Sequence, residues 1–134
     1  FQNEYARTDY FALLAELGID PNSAREQSYA EDDRMDVKSS ILRLAPSPIE
    51  GIGLFLTASV NQGSLICPAR VNGMRTQAER YVNHSPTPNA FFVVLPNGDI
   101  DLVALTDIVG CLGGNLGTEL TVDYRKTVVL EEIN

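Results

Sequence analysis

Apolar residues change their spacing about a quarter of the way along the chain. Before that point Tyr10, Phe11, Leu13, Leu14 and Leu17 recur every three or four residues, which predicts an amphipathic helix with Thr8 as its cap. Gly18 ends this helix and Pro21 keeps it ended. Ser23 and Glu26 have the spacing of a capping box and predict a second, polar helical segment that runs into Glu31-Asp32-Asp33. From about Val37 the pattern shortens to β runs separated by turns. Ser40–Leu44, Leu54–Thr57 and Leu65–Ile66 read as strands; Pro46 and Pro48 break the first, and residues 61–63 turn between the other two. Phe91–Leu95 and Ile100–Leu105 flank Pro96-Asn97-Gly98-Asp99, a hairpin signal. Thr76 and Glu79 are spaced to cap one helical turn ending at Tyr81, and Leu120–Val122 and Val128–Leu130 are the last candidate strands. The expectation is a mainly β chain with N-terminal helices. Residues 1–36 form a helical extension packed on a domain at 37–134, whose strands make several small sheets.

Composition narrows the chemistry. A chain of 134 residues fits one domain with a core of its own. Two cysteines, Cys67 and Cys111, and one histidine, His84, cannot build a four-ligand zinc site, so no metal is expected. Isolated cysteines of this kind read as small buried hydrophobes. Nothing argues for an oxidising compartment, which makes a cytoplasmic location the expectation. The longest apolar run, Ala90 to Leu95, falls far short of the ~20 residues that span a bilayer, so no membrane partner is expected. The first residues carry no basic-then-apolar leader, so no targeting segment is expected; the start at Phe1 rather than Met implies a missing upstream piece.

The net charge is −8, of which −6 falls in residues 1–36 and −2 in the remainder. Such a balance repels nucleic acid and attracts cationic partners, although it equally suits a solvated surface that keeps a protein soluble.

Three stretches carry more chemistry than a plain β domain needs. They are Gly51-Ile52-Gly53-Leu54-Phe55, then Arg80-Tyr81-Val82-Asn83-His84-Ser85-Pro86-Thr87-Pro88-Asn89, then Gly117-Thr118-Glu119-Leu120-Thr121-Val122-Asp123-Tyr124. Singly, each has an ordinary explanation as a bend, a turn cluster or a strand. Asn83-His84-Ser85 is also a formal glycosylation sequon, which matters only in a secreted protein.

In this order the three stretches resemble the SET domain of protein-lysine methyltransferases over roughly residues 38–125, with Asp107-Ile108 where that family places an Asp-Ile. The resemblance implies a SET fold of small curved sheets with a C-terminal pseudoknot that brings Asn83 to Tyr124. It implies S-adenosylmethionine as cofactor and a lysine on a basic protein or peptide as substrate. By the same analogy the Gly51, Ile52, Gly53 turn admits the cofactor close to backbone, and Asn83 and His84 bind its amino-acid end and adenine. Arg80 helps to hold that segment, and Tyr124 is the catalytic tyrosine. Methyl transfer to an amine is an in-line displacement, so alignment can supply most of the catalysis.

The chain departs from the family in places. Val122 replaces the Tyr or Phe that shapes the methyl pocket beside Tyr124, which implies a roomier pocket tolerant of di- or trimethylation or, equally, a leaky channel with weak activity. Ten residues follow Tyr124, too few for a cysteine-rich tail. The channel wall is therefore expected from the N-terminal helices, from the substrate, or from a second subunit of a homodimer. The insert from Gly110 to Gly117, through Cys111, holds four glycines and is expected to be a mobile loop bordering the site. The segment from Gly53 to Asn83 is short for the family, as in compact bacterial or viral members. A SET-fold module that binds cofactor or a partner protein without turnover is the alternative, and a structural β domain with coincidental motifs is a third reading.

Overall fold

The structure, a computed structural model, describes residues 2–28, 30–110 and 117–130. The expected loop at Cys111 to Leu116 lies outside these residues. Helix α1 runs from Gln2 to Glu16 and α2 from Pro21 to Ser28. α1 therefore passes through Thr8 instead of starting there; Ala6, 1% exposed, packs the additional N-terminal turn inward. It stops where expected. Gly18 has φ +69°, its amide donates to Ala15 O, and the Ile19 amide donates to Leu14 O, the paired bonds of a Schellman ending. The cap of α2 is Asp20, whose carboxylate accepts from the Ser23 amide at 3.2 Å. Pro21 thus opens a helix, because the first helical position has no use for an N–H.

The rest of the described chain is mainly β, in three small sheets. β1 (Leu42–Pro46) and β2 (Ile52–Leu56) pair antiparallel, and β8 (Thr118–Glu119) joins β2 with Phe55 opposite Glu119. The largest sheet has the order β10 (Thr127–Val129), β6 (Ala90–Val94), β7 (Ile100–Ala104), β3 (Leu65–Val71), β4 (Met74–Arg75). β6 and β7 form the expected hairpin, closed by the Leu95 amide donating to Asp99 O at 2.7 Å, with Gly98 at φ +91°. β3 continues well past the expected Ile66, through Pro68, by means of two register shifts against β7. A proline is tolerated at such irregularities because its missing N–H breaks no regular ladder bond.

Helix α3 (Gln77–Tyr81) is capped by Thr76, whose hydroxyl accepts from the Ala78 amide, as its sequence implied. Directly after it, β5 (Asn83–His84) pairs in parallel with β9 (Thr121–Val122), Asn83 facing Thr121 and His84 facing Val122. Between β8 and β9 the chain changes partner at Leu120, whose amide donates to Leu54 O at 2.8 Å. Leu54, Leu56, Leu102, Leu120 and Val122 are each 0% exposed and centre one core fed by several of these sheets. At about 1.5–3 kcal/mol for each fully buried large aliphatic side chain, that cluster holds the short strands in place. Among the described residues no helix is long and apolar enough to cross a membrane.

Candidate functional site

The turn from β1 to β2 begins the site. Ser47 N donates to Gly51 O at 2.8 Å, and Gly51 has φ +49°, a backbone region that suits glycine. This turn curls onto Asn83. The Asn83 Nδ2 donates to Ser47 Oγ at 3.0 Å, to Glu50 O at 3.0 Å and to Glu119 Oε2 at 2.9 Å. Three acceptors around one arm identify that arm as the NH2 end of the amide. Glu119 lies under Gly53, and burial lifts its carboxyl above the usual value against the bonds from Asn83 and Ser47. Asn89 clamps the same strand: its Nδ2 donates to Glu119 O and its Oδ1 accepts from the Thr121 amide, each at 2.9 Å.

Tyr124 follows β9 and is tied both to β5 and to Val82, the residue before it. Its amide donates to His84 Nδ1 at 3.0 Å, and its hydroxyl donates to Val82 O at 2.6 Å. The rings of His84 and Tyr124 lie 5.1 Å apart between centroids. Tyr124 is 41% exposed overall, yet its hydroxyl end is turned inward onto that carbonyl. The enclosed end governs ionisation, so burial raises the phenol well above its ordinary value of 10.0, helped by Tyr10 and the charge of Glu119. The group stays a neutral phenol.

α1 covers this junction from outside. Asp9 accepts from His84 Nε2 and from Arg125 Nη1, and Arg7 pairs with Glu50 at 3.5 Å. The Tyr10 ring stands edge-on to Tyr124 at 5.9 Å.

Two clefts meet here and share Tyr10 and Tyr124. The polar one is also lined by Glu50, Ile52, Arg80 and Asn83; its free volume of about 40 Å³ is room for a few waters. The other, about 300 Å³, is lined chiefly by Leu13, Leu14, Leu17 and Ile19 of the N-terminal segment, with Phe92 of β6. Arg80 at the polar cleft is singular. Its side chain is 0% exposed, and none of its three guanidinium nitrogens makes a hydrogen bond, although Glu31 approaches to 3.7 Å and the Tyr81 ring to 5.4 Å. A buried guanidinium with unused N–H groups is costly unless an acceptor arrives.

Most residues singled out in the sequence are thus brought together: Gly51, Ile52, Gly53, Arg80, Asn83, His84 and Tyr124 surround one junction. Four line neither cleft: Gly51 lies in the β1–β2 turn, the space at Gly53 is taken by the Glu119 carboxyl, and His84 and Val122 are buried. The His84 side chain is 1% exposed with both ring nitrogens bonded within the protein. Val122 is 0% exposed and belongs to the core cluster. Asp9 and Glu50 carry no signal in the sequence beyond that of ordinary helix and turn residues, and Tyr10 and Phe11 read there only as apolar helix positions. Glu119 stands within a motif that by itself assigns it no role. Set against models of protein families the chain matches none, and among curated proteins no match is found.

Proposed function

We propose that this chain is a SET-domain protein-lysine methyltransferase that transfers a methyl group from S-adenosylmethionine to the amine of a lysine side chain on a basic protein or peptide. One observation carries the reading: the Tyr124 phenol stands where a polar cleft holding Arg80 and Asn83 meets an apolar one. The β5–β9 pairing, which ties Asn83-His84 to the strand before Tyr124, supports the pseudoknotted SET fold.

The donor set fits the amino-acid end of the cofactor. Arg80, buried and without a hydrogen-bonded acceptor, suits a carboxylate; Asn83 and the nearby carboxyl of Glu50 suit an ammonium. When bound, S-adenosylmethionine supplies an electrophilic methyl on a sulfonium. The cleft is too tight for the nucleoside as packed, so Tyr10 and Phe11 of α1 must yield for it to enter.

The residues of the chain then do the following. The Tyr124 hydroxyl has spent its proton on Val82 O, which leaves its oxygen lone pairs to accept weak C–H contacts and hold the methyl in line. A lysine amine must be neutral to attack, which costs roughly 4–5 kcal/mol at pH 7 for a free side chain. Leu13, Leu14 and Leu17 in the cleft wall disfavour its charged form and lower that cost, while Glu79 in the same lining works against them. The three leucines supply part of a lysine channel from the N-terminal segment. The acidic surface draws basic substrate segments. Val122 lies in the core and lines neither cleft, so it does not set the number of methyl groups accepted.

The test is cofactor binding by calorimetry, followed by methyl transfer to a mixture of basic proteins read by mass spectrometry. Wild type is expected to bind and transfer. Tyr124→Phe is expected to bind comparably and lose about tenfold or more in rate, the worth of ~1.4 kcal/mol at the transition state. Binding without transfer would favour a SET-fold binding module, a reading supported by the closure of the polar cleft beneath α1. No affinity for any adenosyl compound would end the methyltransferase reading and the cofactor-binding form of the module.

A further inference from the structure

Glu119 has no part in the chemistry above, yet the site is built around its carboxyl. The β8 register sets it opposite Phe55, and its side chain crosses beneath β2 at Gly53. A Cβ on Gly53 would lie 2.5 Å from Glu119 Oε2 and 2.9 Å from Ser47 Cβ, so the glycine is the space that the carboxyl occupies. Oε2 accepts from Ser47 Oγ at 2.7 Å and from Asn83 Nδ2 at 2.9 Å; Oε1 is buried with no hydrogen-bond partner.

These bonds decide which way Asn83 faces. A side-chain amide presents a donor on one arm and an acceptor on the other, and the two are nearly equal in shape. With Nδ2 held by Glu119, Ser47 and the Glu50 carbonyl, Oδ1 is left as the outward arm of a residue that lines the polar cleft. No donor among the described residues reaches it. Of the three anchors, Glu119 alone offers a carboxylate and a charge-assisted bond.

We propose that Glu119 is a positioning residue: it locks the Asn83 amide with its carbonyl oxygen turned to the polar cleft, where that oxygen accepts a hydrogen bond from the α-ammonium group of an adenosyl amino acid. Glu119 touches no ligand itself. The proposal rests on the methyltransferase reading for the identity of the ligand, but the anchoring of Asn83 does not.

The experiment uses two nucleosides that differ at the amino-acid end. S-Adenosylhomocysteine carries the ammonium and 5′-methylthioadenosine lacks it. Calorimetry on wild type, Glu119→Gln and Glu119→Leu is combined with NMR exchange rates of the Asn83 side-chain NH2. Glu119→Leu is expected to weaken S-adenosylhomocysteine about tenfold or more, leave 5′-methylthioadenosine unchanged, and speed exchange of the Asn83 NH2. Glu119→Gln keeps an acceptor without the charge, so it should recover most of the affinity, within about threefold of wild type. If Glu119→Leu does not fold, Glu119→Ala, which removes the carboxyl without placing an apolar branch against Ser47 and Asn83, decides by the same selective loss and faster exchange. Equal losses for both nucleosides in the deciding variant would reduce Glu119 to a structural role and overturn the proposal. So would unchanged Asn83 exchange. Wild type binding neither nucleoside would overturn the methyltransferase reading and the ligand half of this proposal together, a result distinct from either of those.

Discussion

The backbone amide of Tyr124 donates to Nδ1 of His84, 40 positions earlier in the chain, at 3.0 Å. Because Nδ1 accepts, the proton of a neutral imidazole sits on Nε2, which donates it to Asp9 of α1. One ring thereby joins the strand that carries Tyr124 to the helix that covers it. Replacing it with alanine leaves the Tyr124 N–H without an acceptor and opens a void at a position 1% exposed. His84→Ala is expected to cost roughly 1–3 kcal/mol, read as a lower midpoint in denaturant unfolding, and to loosen Tyr124.

The attachment of α1 should depend on acid. The bond from His84, then the Arg125 guanidinium, hold the Asp9 carboxyl below its ordinary value of 3.8, against an opposing effect of burial. A depressed folded value means that the stabilisation is complete above 3.8 and lost as pH falls through the folded value. The protection of the α1 amides, taken relative to intrinsic exchange at each pH, should therefore fall below about pH 4 in wild type. Asp9→Asn should exchange faster already at neutral pH and show a flatter acid dependence; identical profiles would remove Asp9 from the docking of α1.

Gly53→Ala sets a methyl group against the Glu119 carboxyl and Ser47. Neither neighbour is the free end of a surface chain, since both are bonded to Asn83. A loss of about 1–3 kcal/mol is expected from overpacking, measurable by thermal or chemical unfolding. Gly63→Ala meets no atom within 4 Å and carries only the backbone penalty of φ +84°, so it serves as the comparison.

Tyr10 closes the polar cleft against Tyr124. Tyr10→Ala should enlarge the cleft and speed association of S-adenosylhomocysteine severalfold in stopped-flow measurements, because the helix no longer has to withdraw a ring first. An unchanged association rate would mean that α1 is not what limits entry.

Local signals proved sufficient wherever a few neighbouring residues decide the outcome. The Pro96–Asp99 hairpin, the Thr76 cap and the Gly18 stop were all legible, because turn and cap energies act over three or four positions. The same locality misled at Thr8 and Ser23. Either can cap a helix, but the buried Ala6 drew α1 back to Gln2, and Asp20 took the cap that Ser23 was expected to supply. β3 outran its sequence signal because register shifts absorbed Pro68.

The sequence by itself determined the inventory: a mainly β chain with N-terminal helices, the Gly51–Gly53, Asn83–Asn89 and Glu119–Tyr124 stretches, and the acidic balance. Only the tertiary structure decided that Glu119 anchors Asn83, that Arg80 is buried with its N–H groups unused, and that Asp9 reaches Arg125 across 116 positions. Contacts at such separations follow from how sheets and helices pack around a common core. No periodicity or motif encodes which surface of α1 will land on which strand, because that choice is made by burial summed over the whole chain.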